Sequence, residues 1–357
     1  MADLFKDMLK DSESLFINEI ALDLEYIPKE IPFRENQQHY IATCIKPLLQ
    51  GRLGKNLLIF GSPGIGKTVA TKHILRELEE KGLDEQAKPI YINCWKKDTS
   101  YKIALEICDQ LNYKFTQNRN TDDLLKEIAR ILNKKAAIIV LDEVDKLDDP
   151  SIIYTLLEDI YKKSIFLITN EKSWINQLDD RVKSRLMPEV LEFKPYNLKE
   201  VEGILKQRAE YALVPNTLEK EAFELITQKT YELNDIRAGL FLIKESTTIA
   251  ESQSSRKILL KHASEAAKKL TEFKIKSSKD LKEDSYEILQ LIKEESGKTI
   301  AQLHEIYNKK EPISYRNFFR KIQDLSKSGR INLKIDEEQP GKPTIVEYDK
   351  EKKLTEF

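Results

Sequence analysis

The chain has 357 residues, 33% of them charged, with a formal net charge of −1. That length suits two or three domains, each with its own core, and the charge excludes a globally basic nucleic-acid binder, so any surface for DNA has to be local. No apolar run approaches the ~20 residues of a membrane span, and the start, MADLFKDMLKDSES, is unlike a signal peptide, so a cytoplasmic protein with no membrane partner is expected.

Residues 1–30 read as a mixed, peripheral arm, in which Ile27-Pro28 and Ile31-Pro32 are extended because each proline biases its predecessor away from helix. A helix then opens at Pro32-Phe33-Arg34-Glu35-Asn36-Gln37 and runs toward Leu49. Next comes LLIFGSPGIGKT, Leu57 to Thr68. Asn56–Phe60 predicts a buried strand, and Val69, Ile74, Leu75 and Leu78 form the inner face of a helix ending near Gly82. Between them stands a phosphate-binding loop, G-x-x-x-x-G-K-[ST]. Gly61, Gly64 and Gly66, with Ser62, Pro63 and Ile65 among them, let the backbone curl with its N–H groups inward, and the helix adds the positive end of its dipole. Lys67 would reach the β and γ phosphates of a bound nucleotide, and the Thr68 hydroxyl would ligate Mg²⁺.

After the loop, helical stretches alternate with short β-branched runs at Ile90–Asn93, Ala136–Asp142, Ser164–Asn170 and Val190–Phe193. This alternation predicts an α/β fold with a parallel sheet covered on both faces and ligands at the carboxyl ends of its strands. The apolar run Ala136–Leu141 delivers Asp142 and Glu143 to that edge, where one carboxylate can hold Mg²⁺ and its neighbour can orient and polarise an attacking water. Asn170, at the tip of SIFLITN, could hydrogen-bond that water or a γ-phosphate oxygen, although an asparagine after a strand is more often a turn former. Arg181 and Arg185 lie four apart on a short helix, facing an acid, a phosphate or solvent. Cys44, Cys94 and Cys108 form no C-x-x-C pair, and His39, His73, His262 and His304 are scattered, so neither a metal-ligand cluster nor a histidine-centred site is expected.

From Asn197 the pattern turns helical, with stretches at 198–212, 217–229, 234–252 and 255–271. Asn234-Asp235 caps the third of these, and Arg237 in its first turn works against the helix dipole unless an anion compensates. Residues 272–283 are polar and read as a linker. Three amphipathic helices (Ser285–Glu295, Thr299–Asn308, Ser314–Ser328) and a hairpin (Arg330–Ile335, Thr344–Tyr348) then make a winged helix-turn-helix. On its third helix, Tyr315, Phe318, Phe319, Ile322 and Leu325 are expected to face the core, and Arg316, Arg320, Gln323 and Lys327 form a separate stripe that could enter a DNA major groove.

Taken together, the loop, VLDEVDKL, the Asn-tipped strand, the arginine helix and the lid arginine resemble an AAA+ ATPase. PFRENQ, YINC, ITN, RVKSRL with PEVLEFKPY, NDIRAG and the terminal winged helix are similar, over roughly residues 15–350, to the archaeal origin-recognition and cell-division-control initiators. The resemblance implies an N-terminal arm and ATPase core over 1–197, a helical lid over 198–271, a linker over 272–283 and a DNA-binding winged helix over 284–350. It makes Gly61–Thr68 Walker A with Val69 behind it, Asp142 and Glu143 Walker B, Asn170 sensor 1 and Arg237 sensor 2. Arg185, with Arg181 second, becomes the finger onto a neighbour's nucleotide, and Arg34 lies near the adenine. The segment around Asn112–Asp122 falls where the family inserts a DNA-contacting helix, with only Lys114 and Arg119 as cations. The wing departs from the family's Gly- and Arg-rich pattern, reading Asp336-Glu337-Glu338-Gln339-Pro340-Gly341-Lys342, which argues against a minor-groove arginine. The implied function is initiation of DNA replication: binding of double-stranded origin DNA, switching between ATP and ADP with slow hydrolysis, self-association on DNA and recruitment of a replicative helicase. A signalling ATPase of the STAND type, a clamp loader and a helicase motor are the alternatives.

Overall fold

Five apolar runs build a parallel sheet: β1 (Leu57–Phe60), β2 (Ala87–Asn93), β3 (Ala136–Asp142), β4 (Lys163–Thr169) and β5 (Glu189–Glu192). Their spatial order is β2-β3-β4-β1-β5. Phe60 pairs with Thr169, and Asp142 pairs with Ile168. β4 therefore separates β1 from β3, and Asn170, which follows it, stands between the loop after β1 and the acidic end of β3. Every residue of β3 is buried, as a strand covered on both faces requires. The covering helices are α1 (Glu35–Leu49), α2 (Lys67–Glu80), α3 (Ser100–Gln110), α4 (Thr121–Leu132), α5 (Ser151–Asp159) and α6 (Asp180–Leu186). In α4 the inner stripe is Leu124, Leu125, Ile128 and Leu132, and Asn120 caps the helix by accepting from the Asp123 amide.

The computed structural model describes residues 14–279, 283–308, 313–327, 331–335 and 344–348, in two units, Met1–Ala263 and Ser264–Phe357. Among the described residues no helix is long and apolar enough to cross a membrane.

Three helices follow the sheet in the first unit, α7 (Leu198–Ala212), α8 (Lys220–Leu233) and α9 (Ile236–Ser252). The arm is not peripheral over its described part. Leu15, Ala21 and Leu22 are buried, and the Ile17 amide donates to the Ala212 carbonyl at 2.8 Å. Arg208 of α7 donates to the carbonyls of Asp23 and Tyr26 at 3.1 and 3.3 Å, and Arg76 of α2 donates to those of Ile27 and Pro28 at 2.9 Å each. Extended backbone around the prolines leaves these carbonyls without helical partners, and arginines from two sides take them. Residues 1–13 lie outside the described residues.

α10 (Leu260–Lys279) continues through residues 272–279, where the polar composition predicts a linker. That stretch is polar but holds no proline or glycine, so nothing in it stops a helix. The second unit then runs α11 (Glu283–Glu294), β6 (Lys298–Thr299), α12 (Ile300–Asn308), α13 (Tyr315–Lys327), β7 (Ile331–Ile335) and β8 (Thr344–Tyr348). This is the element order of a winged helix-turn-helix around a core of Ile288, Ile292, Leu303, Phe318, Ile322, Leu325 and Val346. The expected hairpin is β7–β8, and β6 adds a third strand through Lys298↔Val346.

One helix face differs from expectation. Phe318, Ile322 and Leu325 are buried, whereas Tyr315 and Phe319 are 49% and 36% exposed. At about 100° per residue these two stand about 55° and 95° from the centre of the buried sector, at the margin of what α11 and α12 cover.

Candidate nucleotide site and basic helix

The loop leaving β1 enters α2 with Gly64 and Gly66 at φ +73° and +90°, where side chains are strained. Space is also short. A Cβ on Gly64 would stand 1.9 Å from the Asp235 carboxylate, and one on Gly66 would stand 2.9 Å from the Tyr196 hydroxyl. Inside the turn, Lys67 Nζ donates to the carbonyls of Gly61 (2.6 Å) and Ser62 (2.8 Å) and to Asn170 Oδ1 (3.0 Å). Burial pushes the Lys67 ammonium down to about 8, although Asp142 opposes the shift.

Asp142 Oδ2 accepts two short bonds, from Thr68 Oγ1 and from the Tyr91 hydroxyl, each at 2.6 Å. Its other oxygen accepts from the Glu143 amide at 2.9 Å. Glu143 is a non-glycine residue at φ +55°, a strained backbone of the kind that persists where the surroundings fix it. Its carboxyl is raised above the usual range by burial first and then by the charges of Asp142 and Asp145.

From the other side, Arg237 Nε and Nη2 grip the Asp235 carboxylate at 2.8–3.2 Å, and the Arg237 amide donates to the same group at 2.9 Å. The anion demanded by a cation in the first turn of α9 is therefore Asp235 itself. A dipole clash costs about 0.3–1 kcal/mol, and a half-exposed ion pair contributes about 0–1 kcal/mol, so the pair is of the size needed to offset the clash.

These groups share a cavity of about 730 Å³, within the range of small-molecule sites. Lys67, Thr68, Asp142, Glu143, Asn170 and Arg237 form its polar end, with Pro63, Gly64, Gly66 and Val69 of the loop. Its other end is Tyr26, Ile27 and Pro28 of the arm, Ile204, Gln207 and Arg208 of α7 and Leu240 of α9. Trp95, 66% exposed, lies at the rim beneath the Lys146 ammonium, 5.2 Å from the ring centroid. Ile65 is buried under the loop.

Arg34 is not among the residues lining the cavity, although Pro32 of the same stretch and Tyr196, on which it rests, are. It is 4% exposed, donates to the Ile65 carbonyl at 3.1 and 3.3 Å and to the Lys194 carbonyl at 2.7 Å, and rests 3.7 Å from the centroid of the Tyr196 ring. It buttresses the loop from behind instead of lining the cavity. Arg185 pairs with Glu158 of α5 and lies 5.2 Å from the centroid of Tyr154, and Arg181 is exposed; neither lines the cavity.

Sequence reasoning missed Tyr91, Asp235 as a partner of Arg237, Arg208 and the cavity wall formed by the arm. Period-two alternation puts Tyr91 on the strand face of Asn93, which was a usable signal. Arg208 gave none, since its role depends on how α7 packs on the arm.

On α13, Arg320 and Gln323 are exposed, while the side chains of Arg316 and Lys327 lie outside the described residues, as does the wing at 336–343. The expected inserted helix around Asn112–Asp122 is absent: this segment is an irregular loop up to α4, turned by Asn112 and Asn118 at positive φ, with Lys114 paired to Asp109 at 3.3 Å. Two asparagines in left-handed backbone interrupt it, and of its two aromatics only Tyr113 packs on the core, Phe115 being 77% exposed.

Comparison with known proteins accords with this architecture. The AAA domain family matches residues 52–173, and the Cdc6 AAA+ ATPase-type lid domain matches residues 202–268. An ORC1-type DNA replication protein of Pyrococcus abyssi is 30% identical over 369 residues, 93% of this chain and 86% of the relative. ORC1-type DNA replication protein 1 of Sulfurisphaera tokodaii is 33% identical over 266 residues, 71% of this chain and 66% of the relative. Among solved structures, the Aeropyrum pernix ORC1 protein in complex with DNA superposes with a TM-score of 0.74 at 24% identity, covering 95% of each chain. The A. pernix ORC2 protein, solved as ADPNP–ADP complexes, superposes at 0.65 with 22% identity over 94% of each chain. The chain belongs to the ORC1-type DNA replication proteins, a family of AAA+ ATPases.

Proposed function

We propose that this chain is a nucleotide-controlled initiator that binds double-stranded origin DNA, changes state between ATP and ADP, self-associates on DNA and helps bring a replicative helicase to the site. What supports the reading is one convergence: sheet-edge groups and the lid arginine Arg237 line the same cavity. Lys67 and the loop amides would hold the β and γ phosphates, replacing the carbonyls of Gly61 and Ser62 as partners of the ammonium. Arg237 would exchange Asp235 for the γ-phosphate. Glu143 would orient and deprotonate the attacking water, and Asn170 would hydrogen-bond that water or a phosphate oxygen.

Thr68 and Asp142 would hold Mg²⁺, whose charge compensates the phosphates. Their oxygens already meet at 2.6 Å. Among the described residues no three His, Cys, Asp or Glu gather into a metal cluster, so the ion would need phosphate oxygens as well. On the DNA side, the A. pernix ORC1 protein was solved with DNA, and we extend that ligand to this chain through α13 and the stripe of Arg316, Arg320, Gln323 and Lys327.

Footprinting of the full chain on its host's replication origin tests the reading, with protection expected from the wild type. Lys67→Ala should lose tight binding of ATP and ADP. Glu143→Gln should keep ATP bound and slow its hydrolysis by about 10²–10³-fold. Absence of origin protection would remove the initiator role; loss of ATP binding by a folded Glu143→Gln protein would overturn the assignment of Glu143.

A further inference from the structure

The first two turns of α13 carry an aromatic pair that the core leaves outside. Tyr315 and Phe319 are 49% and 36% exposed, and their rings stack with centroids 6.4 Å apart and planes 25° apart. His304 of α12 meets Tyr315 edge-on at 5.3 Å and 86°. The same imidazole also packs on Phe318 at 5.3 Å, and its Nε2 donates to the Ile313 carbonyl at 2.8 Å. The pair is thus held in place over a core already filled by Phe318, Ile322 and Leu325. Beside it on the helix stand exposed Arg320 and Gln323. In sequence, residues 309–334 hold eight Lys or Arg against two acids.

Fixed rings next to an excess of cations suit a ligand that is anionic at its rim and apolar at its floor. A DNA major groove has both: phosphates along its edges and, among the base edges, the thymine 5-methyl as its apolar feature. The N-terminal residues of a recognition helix are those that reach base edges, and Tyr315 is the first residue of α13. We propose that Tyr315 and Phe319 read thymine 5-methyl groups in the major groove, setting a preference for thymine beneath the first turns of α13. The proposal rests on the reading that α13 is the helix that enters DNA.

The test compares the full chain on its origin duplex and on the same duplex with deoxyuridine in place of thymine, which deletes the methyl and keeps base pairing. Wild type should bind the uridine duplex about fourfold more weakly for each methyl read. The Tyr315→Ala, Phe319→Ala double variant should bind both duplexes alike, and Arg320→Ala should weaken both equally and keep the ratio. The comparison on wild type needs no substitution, so a variant that unfolds does not decide the matter. Equal binding of the two duplexes by wild type, with Arg320→Ala weakening both, would overturn the thymine assignment and leave the DNA reading standing. A ratio that persists in a folded double variant would also overturn it. Unchanged origin binding by both folded variants would instead remove α13 from DNA binding altogether.

Discussion

Lys67 shows how one side chain can couple nucleotide to pH. Without phosphate its ammonium is surrounded by the Gly61 and Ser62 carbonyls and Asn170, and burial holds it near a pKa of about 8. A lysine depressed from 10.5 destabilises the folded chain below about pH 8, and this cost fades as pH rises toward 10.5. Phosphate charge would raise the group again, so binding takes up a proton above about pH 8. We expect affinity for ADP to fall as pH climbs through this window, with close to one proton taken up per nucleotide at pH ~9. Calorimetry in two buffers of different ionisation enthalpy measures the uptake, and Lys67→Arg, which stays charged, should abolish it; a wild type with no uptake would refute the coupling. Lys67, Thr68, Asp142, Glu143 and Asn170 were legible in the sequence because strand ends and a loop of fixed spacing deliver them to one edge. Tyr91 is signalled only by its place on the strand face of Asn93, and Arg208 not at all, since a guanidinium reaching another segment's carbonyls leaves no local pattern.

Among the elements, the phosphate loop depends on a support behind it. Arg34, at the mouth of α1, joins the Ile65 carbonyl of the loop to the Lys194 carbonyl beyond β5 and lies on the Tyr196 ring. Replacing it with methionine leaves the buried Ile65 carbonyl and the part-buried Lys194 carbonyl without this donor and removes a buried cation–π contact. We expect a loss of about 2–5 kcal/mol of stability in urea unfolding, together with weaker nucleotide binding although Arg34 lines no part of the cavity. Arg34→Lys should rescue little, because an ammonium cannot reproduce the planar fork. A loss under about 1 kcal/mol would show that the buttress is dispensable. The strands and most helices could be placed from periodicity within a few residues. β6 could not, because two residues carry no period and only pairing with β8 defines them. Equally, polarity alone did not mark a linker at 272–279, where the residues remain competent helix formers.

At the scale of the whole molecule the two arginines differ in where they lie. Arg237 lines the chain's own cavity, whereas Arg185 lies outside it, paired with Glu158. Arg237→Ala should therefore reduce hydrolysis in the isolated chain, and Arg185→Ala should matter only when copies assemble on DNA. Glu158→Ala, which frees Arg185, should not reproduce the defect. Mixing experiments measure this: if Arg185→Ala subunits fail to poison wild-type neighbours on DNA, the arginine does not act between chains.

The exposed indole at the cavity rim has an optical consequence. Of the chain's two tryptophans, Trp174 is buried at 6% exposure and Trp95 is open at 66%. Emission from the first is shielded by its packing, so the part of the intrinsic fluorescence sensitive to solvent and quenchers belongs to Trp95, beneath the Lys146 ammonium. A molecule filling the cavity is expected to displace water from that ring and shift its emission. The chain thus carries a built-in reporter of occupancy, readable without any label and isolated cleanly by Trp174→Phe.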